Sequence, residues 1–318
     1  MKKKVVLGID IGGTNTDYGF VDHLGEILFR SHHSTDEFNK FEDFVESLYS
    51  EVVNQIERND FELLGIGLGA PNGNYYNGTI EHAPNLSWKG IVPAVEIFKN
   101  KFHIPIFLTN DANAATIGEM LFGGAKGFKD FIYITLGTGV GSGIVVNGQL
   151  VYGHDGFAGE LGHTIVVENG RQCGCGRKGC LETYSSVTGL RKSIELLKND
   201  YPESLLSHLS FSELTGKNIY QAAKNNDKLA LKAFDIAAEK LGKVLANAVA
   251  VTSPKAVFLF GGLANAQELI FDQTKKYMEE NLLNIFKNKV EILPSKMKGN
   301  EAAIKGAAAL TWNELGRV

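Results

Sequence analysis

Residues 5–28 and 131–153 of this chain are written to one plan. VVLGIDIGGTNTDYGFVDHLGEIL and FIYITLGTGVGSGIVVNGQLVYG each read as a strand, a Gly/Thr turn, a second strand, a Gly-containing turn and a third strand. Ile11-Gly12-Gly13-Thr14 stands opposite Leu136-Gly137-Thr138-Gly139. The copies lie too far apart for a short solenoid period, so the repeat is one of whole fold units. Two similar domains facing a cleft would bring both turns to that cleft. A chain of 318 residues is long enough for two domains of about 150 residues each.

The pattern between the copies supports an α/β class. KVVLGID (4–10) reads as a buried strand ending in an acid, Asp10, and residues 16–21 and 25–33 follow as strands joined by a turn at Asp22–Gly25. Phe38 to Glu57 has helical spacing, with Phe41, Phe44, Val45, Leu48, Val52 and Ile56 on one face. ELLGIGLG (62–69) reads as a strand, and 70–90 as a long Gly/Asn/Pro-rich loop. IPIFLTN (104–110) is another strand, with a helix from about Ala112 to Phe122. Later, Leu229 to Val251 sets Phe234, Leu241, Leu245 and Val249 on one side of a long core helix. AVFLFGG (256–262) is a strand running into a glycine pair, and EAAIKGAAAL (301–310) a final helix small-sided enough for close packing. Helices that follow strands repeatedly imply an α/β fold.

Composition excludes several classes. With 44% hydrophobic and 21% charged residues the chain is ordinary for a globular protein. A formal charge of −4 gives no general attraction to nucleic acid or to an acidic membrane. The apolar start is broken by Gly8 and Asp10, which argues against a signal peptide, and no run of about 18 apolar residues suggests a membrane span. A cytoplasmic protein with reduced thiols is the expectation.

The chain has three cysteines, Cys173, Cys175 and Cys180, all inside GRQCGCGRKGC (170–180). An odd count argues against a closed disulfide framework, and C-x-C is not the usual redox spacing. Clustering favours a metal. Gly174, Gly176 and Gly179 let the loop fold tightly enough to turn the sulfurs inward. Three thiolates need a fourth ligand for tetrahedral zinc, and His163 in GELGH is the natural donor. Such a closed Cys₃His site is structural.

The turns suggest a nucleotide. Glycine lets backbone N–H groups come close to a phosphate. Hairpins use glycine routinely, so one such turn alone says little. Here DIGGTNT (10–16, with Gly12, Gly13, Thr14 and Asn15) and LGTGVG (136–141, with Thr138 and Gly139) occupy equivalent places, and Gly261-Gly262 adds a pair at a strand end. Neither turn is a P-loop or a Rossmann fingerprint. Asp10 could hold Mg²⁺ through water. Asp111 reads either as a helix N-cap or as a carboxylate taking the proton of a hydroxyl that attacks a γ-phosphate, with Asn110 binding beside it. Glu160, His163 and Glu182 bracket the cysteine loop. Both carboxylates could hold hydroxyls as bidentate acceptors, and a zinc-bound His163 would offer its other nitrogen to a sugar hydroxyl.

Taken together, residues 136–186 resemble the signature of the ROK family (repressors, open reading frames, kinases), and DIGGT, NDANAA and the glycine pair at 261–262 extend the resemblance over most of the chain. It implies an α/β, actin-like (ribonuclease H-like) ATPase fold with two domains around a cleft, 1–115 plus 301–318 and 116–300. It implies Asp111 as catalytic base and Asn110, Glu160, His163 and Glu182 as sugar contacts. Gly12, Gly13, Thr14, Asn15, Thr138 and Gly139 would handle ATP phosphates, Gly261-Gly262 would lie near the adenosine, and His163, Cys173, Cys175 and Cys180 would bind structural zinc. APNLSW (83–88) resembles the glucokinase members, in which the asparagine matching Asn85 meets the sugar. The segment Pro71-Asn72-Gly73-Asn74-Tyr75-Tyr76 departs from the Gly-Pro-Val-Asp-like stretch of many members. The implied activity is ATP- and Mg²⁺-dependent phosphorylation of D-glucose at the 6-hydroxyl, in a homodimer or homotetramer. N-acetylglucosamine, N-acetylmannosamine, mannose and fructose are the alternative substrates. A sugar-responsive regulator is the third reading. It would need a DNA-binding helical module before the first strand, which here starts at residue 4 or 5.

Overall fold

The repeated plan becomes two five-stranded sheets of the same topology. The computed structural model describes residues 2–299 and 301–316; Met1, Asn300, Arg317 and Val318, which fall within the expected domain spans, lie outside the described residues.

An antiparallel meander of β1 (Lys3–Ile11), β2 (Asn15–Val21) and β3 (Ile27–Ser34) leads into helix α1 (Phe41–Asn59) and β4 (Phe61–Gly69). Three short strands, β5 (Gly73–Asn74), β6 (Thr79–Glu81) and β7 (Ile91–Val92), form a small antiparallel sheet. Helix α2 (Ala94–Phe102), β8 (Ile106–Thr109) and α3 (Asp111–Phe122) follow. Because β4 pairs parallel with both β1 and β8, the sheet order is β3-β2-β1-β4-β8.

The second meander is β9 (Phe131–Leu136), β10 (Val140–Val146) and β11 (Gln149–Leu150). Helices α4 (Glu182–Ser185), α5 (Val187–Leu197), α6 (Gly216–Lys224) and α7 (Lys228–Thr252) precede β12 (Ala256–Phe260), α8 (Phe271–Asn281) and β13 (Glu291–Pro294), and α9 (Glu301–Glu314) ends the chain's regular structure. The order β11-β10-β9-β12-β13, with β12 parallel to β9 and β13, repeats the first sheet strand for strand. The periodicity reading of α7 holds: Phe234, Leu241, Leu245 and Val249 are buried in the second core. Phe44, Leu48 and Val52 of α1 are buried in the first.

Two compact units result. One comprises Met1–Gly127, Leu150–Ala158 and Ser295–Val318; the other comprises Phe128–Gln149 and Gly159–Pro294. The expected boundary between 115 and 116 would cut α3, and side-chain size explains why it moves. A Cβ on Gly118 of α3 would sit 2.9 Å from the Cα of Gly306 in α9, so the two helices meet backbone to backbone. Buried Glu119 then accepts the Lys296 N–H at 3.0 Å, holding the returning chain against α3. Residues 150–158 join the first unit because Tyr152 stacks on Tyr75 (4.0 Å, 11°) and the Asn74 amide donates to the Asp155 carbonyl at 2.9 Å.

Two sequence readings need correction. Residues 70–90 are not wholly loop, since they contain β5 and β6, strands too short to show a period. Helix α1 starts at Phe41, not Phe38, because Lys40 is extended. Phe38 instead stacks on His33 (5.5 Å, 21°), and its carbonyl accepts the Trp88 indole N–H at 3.0 Å. Among the described residues no helix is long and apolar enough to cross a membrane.

Candidate functional site

In the first unit the candidate residues gather where β1 and β8 end. The turn after β1 closes when the Gly12 N–H donates to the Asn15 carbonyl at 3.1 Å. Gly12 and Gly13 are half-buried while Thr14 and Asn15 are exposed. Gly13 lies against the Asn85 carbonyl, and a Cβ at 13 would collide with that oxygen. The Asn85 segment is itself anchored on either side: Ala83, Leu86 and Trp88 are buried in the core while Asn85 is exposed. The phosphate-type turn and the segment expected to meet sugar are therefore one packed feature, a link that sequence reasoning missed.

At the other strand end the N-cap of α3 is Asn110, whose side-chain oxygen accepts the Asn113 N–H at 2.6 Å. The reading of Asp111 as the cap is corrected: Asp111 is the first helical residue. Its carboxylate accepts the Ala112 N–H at 2.8 Å. Asp111 is solvent-exposed although protein packs densely around it. That crowding raises its pKa, with the Ala112 N–H opposing. Asp10, half-buried at the end of β1, is pushed up to about 7, first by burial and then by the charges of Asp111 and Asp17. A carboxylate whose ionisation is hindered by burial and by neighbouring acids in this way suits a site that receives a cation or a proton.

In the second unit Glu182, the first residue of α4, connects several candidates. Its Oε2 accepts the Val140 N–H at 3.1 Å, directly after the second Gly/Thr turn. Gly139 leaves the space for that carboxylate, since a Cβ there would collide with Oε2. Glu182 was expected to hold hydroxyls as a bidentate acceptor; Oε2 already accepts from the backbone, and Oε1 lies 3.7 Å from Cys173 Sγ. Thr138 is exposed on the turn. Ser142 of β10 donates to the Gly159 carbonyl and accepts the Leu161 N–H at 3.1 Å. It thus fixes the backbone on both sides of Glu160, which is exposed at the head of a 3-10 turn ending in His163.

The four expected metal ligands converge. One donor atom each from His163, Cys173, Cys175 and Cys180 lies within 4.8 Å of the other three. Cys173 Sγ is 3.7 Å from His163 Nδ1, and the Sγ atoms of Cys175 and Cys180 are 3.6 Å apart. Burial pushes the Cys173 thiol up to about 12 and raises Cys180. Burial also opposes ionisation of Cys175, but hydrogen bonds from the Arg177 backbone and side chain and from the other two thiols outweigh it and bring Cys175 down to about 6. Three soft sulfurs and an imidazole at this spacing fit tetrahedral zinc. Arg171 gives the loop a second anchor that sequence reasoning missed. Its guanidinium donates to the Thr183 and Gly189 carbonyls at 2.8 and 3.1 Å and to Ser193 at 2.9 Å, and lies 4.4 Å from the Tyr184 ring centroid.

Gly261 and Gly262 follow β12, and Gly262 opens onto a cavity of about 400 Å³. Val187, Leu190, Tyr220 and Leu263 give it apolar walls, and Lys217 and Asn265 add polar groups. An apolar slot with a few polar groups suits a flat heteroaromatic ring. Only Gly262 of this lining was a sequence candidate; the rest come from four separate elements and carry no shared motif.

Residues 6–314 match the model of the ROK family. The glucokinase of Thermotoga maritima is 31% identical over 99% of this chain and 100% of that protein. A xylose repressor of Caldicellulosiruptor bescii is 30% identical over 98% of this chain and 78% of that protein. The crystal structure of a ROK family glucokinase from Streptomyces griseus in complex with glucose and AMPPNP matches with a TM-score of 0.79 at 33% identity, covering 96% of this chain and 98% of that one.

Proposed function

The chain belongs to the ROK family and has its actin-like α/β fold, and on that premise we propose that it is an ATP-dependent sugar kinase acting on the 6-hydroxyl of D-glucose. The observation that carries the reading is Asp111: a solvent-accessible carboxylate of raised pKa, fixed at the start of a helix where a parallel strand ends. A sugar-binding module needs hydrogen-bonding groups, but it does not need a crowded acid whose affinity for a proton has been increased.

In this account the sugar O6 attacks the γ-phosphorus, the bond to the β–γ bridging oxygen breaks, and ADP leaves. Asp111 accepts the hydroxyl proton as the new O–P bond forms and then returns it to solvent. Positioning supplies most of the rate, so the hydrogen bond from O6 to Asp111 has to be in line with the γ-phosphate. Asn110 spends its carbonyl oxygen on the helix cap, which leaves its amide N–H groups for a sugar hydroxyl. Asn85, Glu160, His163 and Glu182 take the role of further hydroxyl partners. Gly12, Gly13, Thr14, Asn15, Thr138 and Gly139 offer backbone N–H groups and hydroxyls to phosphate oxygens, and the cavity beside Gly262 takes the adenine.

Asp10 would hold hydrated Mg²⁺, which when bound neutralises charge on the phosphates. His163, Cys173, Cys175 and Cys180 would hold zinc, which shapes the backbone that carries Glu160 and Glu182 and takes no part in phosphoryl transfer. His163 Nδ1 lies 3.7 Å from Cys173 Sγ, so if that nitrogen held zinc, Nε2–H would be left for a hydroxyl. D-glucose as substrate is supported by the APNLSW segment and by the relatives named glucokinase. On family resemblance alone we extend the proposal to a cytoplasmic homodimer or homotetramer.

An ADP-release assay with ATP and D-glucose, mannose, fructose, N-acetylglucosamine or N-acetylmannosamine tests the reading. D-glucose should give the highest kcat/KM. No turnover of D-glucose beside brisk turnover of an N-acetyl sugar would reassign the substrate.

A further inference from the structure

A second recess lies in the first unit, and none of its lining residues has been assigned a functional role above. It measures about 410 Å³, within the usual range of roughly 300–1,000 Å³ for small-molecule sites. The β5–β6 hairpin contributes Tyr76, Asn77 and Glu81, and the returning segment contributes His154, Asp155 and Phe157. Asn74 and Tyr76 of its lining belong to the run that departs from the common family stretch.

Its aromatic wall is held in advance. Tyr76 is 56% exposed, a large value for an aromatic residue. Yet its hydroxyl donates to the Gly153 carbonyl at 3.0 Å, its N–H donates to Asn74 Oδ1 at 3.0 Å, and its ring meets those of Tyr75 (5.5 Å, 72°) and Tyr152 (6.1 Å, 62°) edge-on. Asn74, 1% exposed, supports this arrangement with both ends of its amide engaged. A rigid exposed ring loses little entropy when something stacks on it.

The polar wall is a set of acceptors and amides. Glu81 receives Asn77 Nδ2 at 3.2 Å and the Thr79 hydroxyl at 2.7 Å, both on Oε1, so Oε2 remains to accept from a ligand. Asp155 receives the Phe157 N–H on Oδ1 at 3.3 Å and keeps Oδ2. Among the described residues no lysine or arginine lines the recess, so phosphates and other anions find no counter-charge there. An aromatic platform beside carboxylate, amide and imidazole groups matches the apolar faces and hydroxyl rims of sugar rings.

We propose that this recess is a second, non-catalytic binding site for a neutral saccharide. The test uses the full chain with ¹³C-labelled tyrosine, the Tyr76 signal being assigned by Tyr76→Phe. Maltose and D-glucose should each shift that signal saturably. Glu81→Gln and His154→Ala should each weaken the response at least fivefold while the other tyrosine signals stay in place. The response should persist in Glu182→Gln, which alters a different candidate sugar contact. The proposal is overturned if neither sugar moves Tyr76, if the shift is lost in Glu182→Gln, or if calcium chloride moves the signal and the sugars do not.

Discussion

Gly13 presses on the backbone carbonyl of Asn85 more closely than any side chain at position 13 would allow. The turn proposed to hold phosphate and the segment proposed to meet sugar therefore move together. Gly13→Ala should separate them. We expect kcat/KM to fall at least tenfold, with KM rising for both ATP and glucose, since a misplacement near 1 Å can cost roughly 10²-fold. A rise confined to the ATP KM in steady-state kinetics would break the link.

Asp10 gives a pH signature in the ligand-free protein. Its pKa is raised to about 7 in the folded state from the ordinary aspartate value of 3.8. Folding therefore favours the protonated acid, and as pH rises from about 4 through 7 the native state holds a proton that the unfolded chain has released. By linkage, stability falls over that window. Asp10→Asn removes the titration, so the melting temperature of the variant relative to the parent should climb between pH 5 and pH 8. A difference that stays flat with pH would refute the raised pKa.

Zinc is tested by metal analysis. Purified protein should carry about one zinc per chain, and Cys175→Ser should lose most of it. Because the loop backbone sets Glu160 and Glu182, glucose KM should rise by roughly 10-fold or more in the variant. Arg171 holds the loop independently of the metal, so the variant should remain folded by circular dichroism. Full glucose affinity in a zinc-free variant would separate the metal from the sugar contacts.

Helices α3 and α9 meet at Gly118 and Gly306 with no room for a side chain. Gly306→Val should overpack this contact and destabilise the protein by about 1–3 kcal/mol or more in urea unfolding. An unchanged midpoint would mean that the helices can part without cost.

Much of this was legible in the chain, for reasons that differ between parts. The doubled strand–turn–strand pattern foretold two sheets of one topology because alternation and glycine punctuation are local signals. The Cys₃His cluster was legible because its ligands are close in sequence and chemically distinctive. The contact of Gly13 with Asn85 joins residues far apart in sequence, and nothing in either segment announces the other. The walls beside Gly262 are ordinary apolar residues of several elements, so only the fold gathers them. Asn110 and Asp111 exchanged places as cap and first helical residue because either side chain is a good cap and tertiary packing made the choice.

The central claim is that Asp111 takes the proton of the attacking hydroxyl. Asp111→Asn keeps the shape and removes the base, so kcat with ATP and D-glucose should fall by roughly 10²–10⁴-fold, while glucose affinity measured by calorimetry stays within about threefold of the parent. A variant that retains more than a few per cent of kcat, with glucose bound normally, would contradict the account.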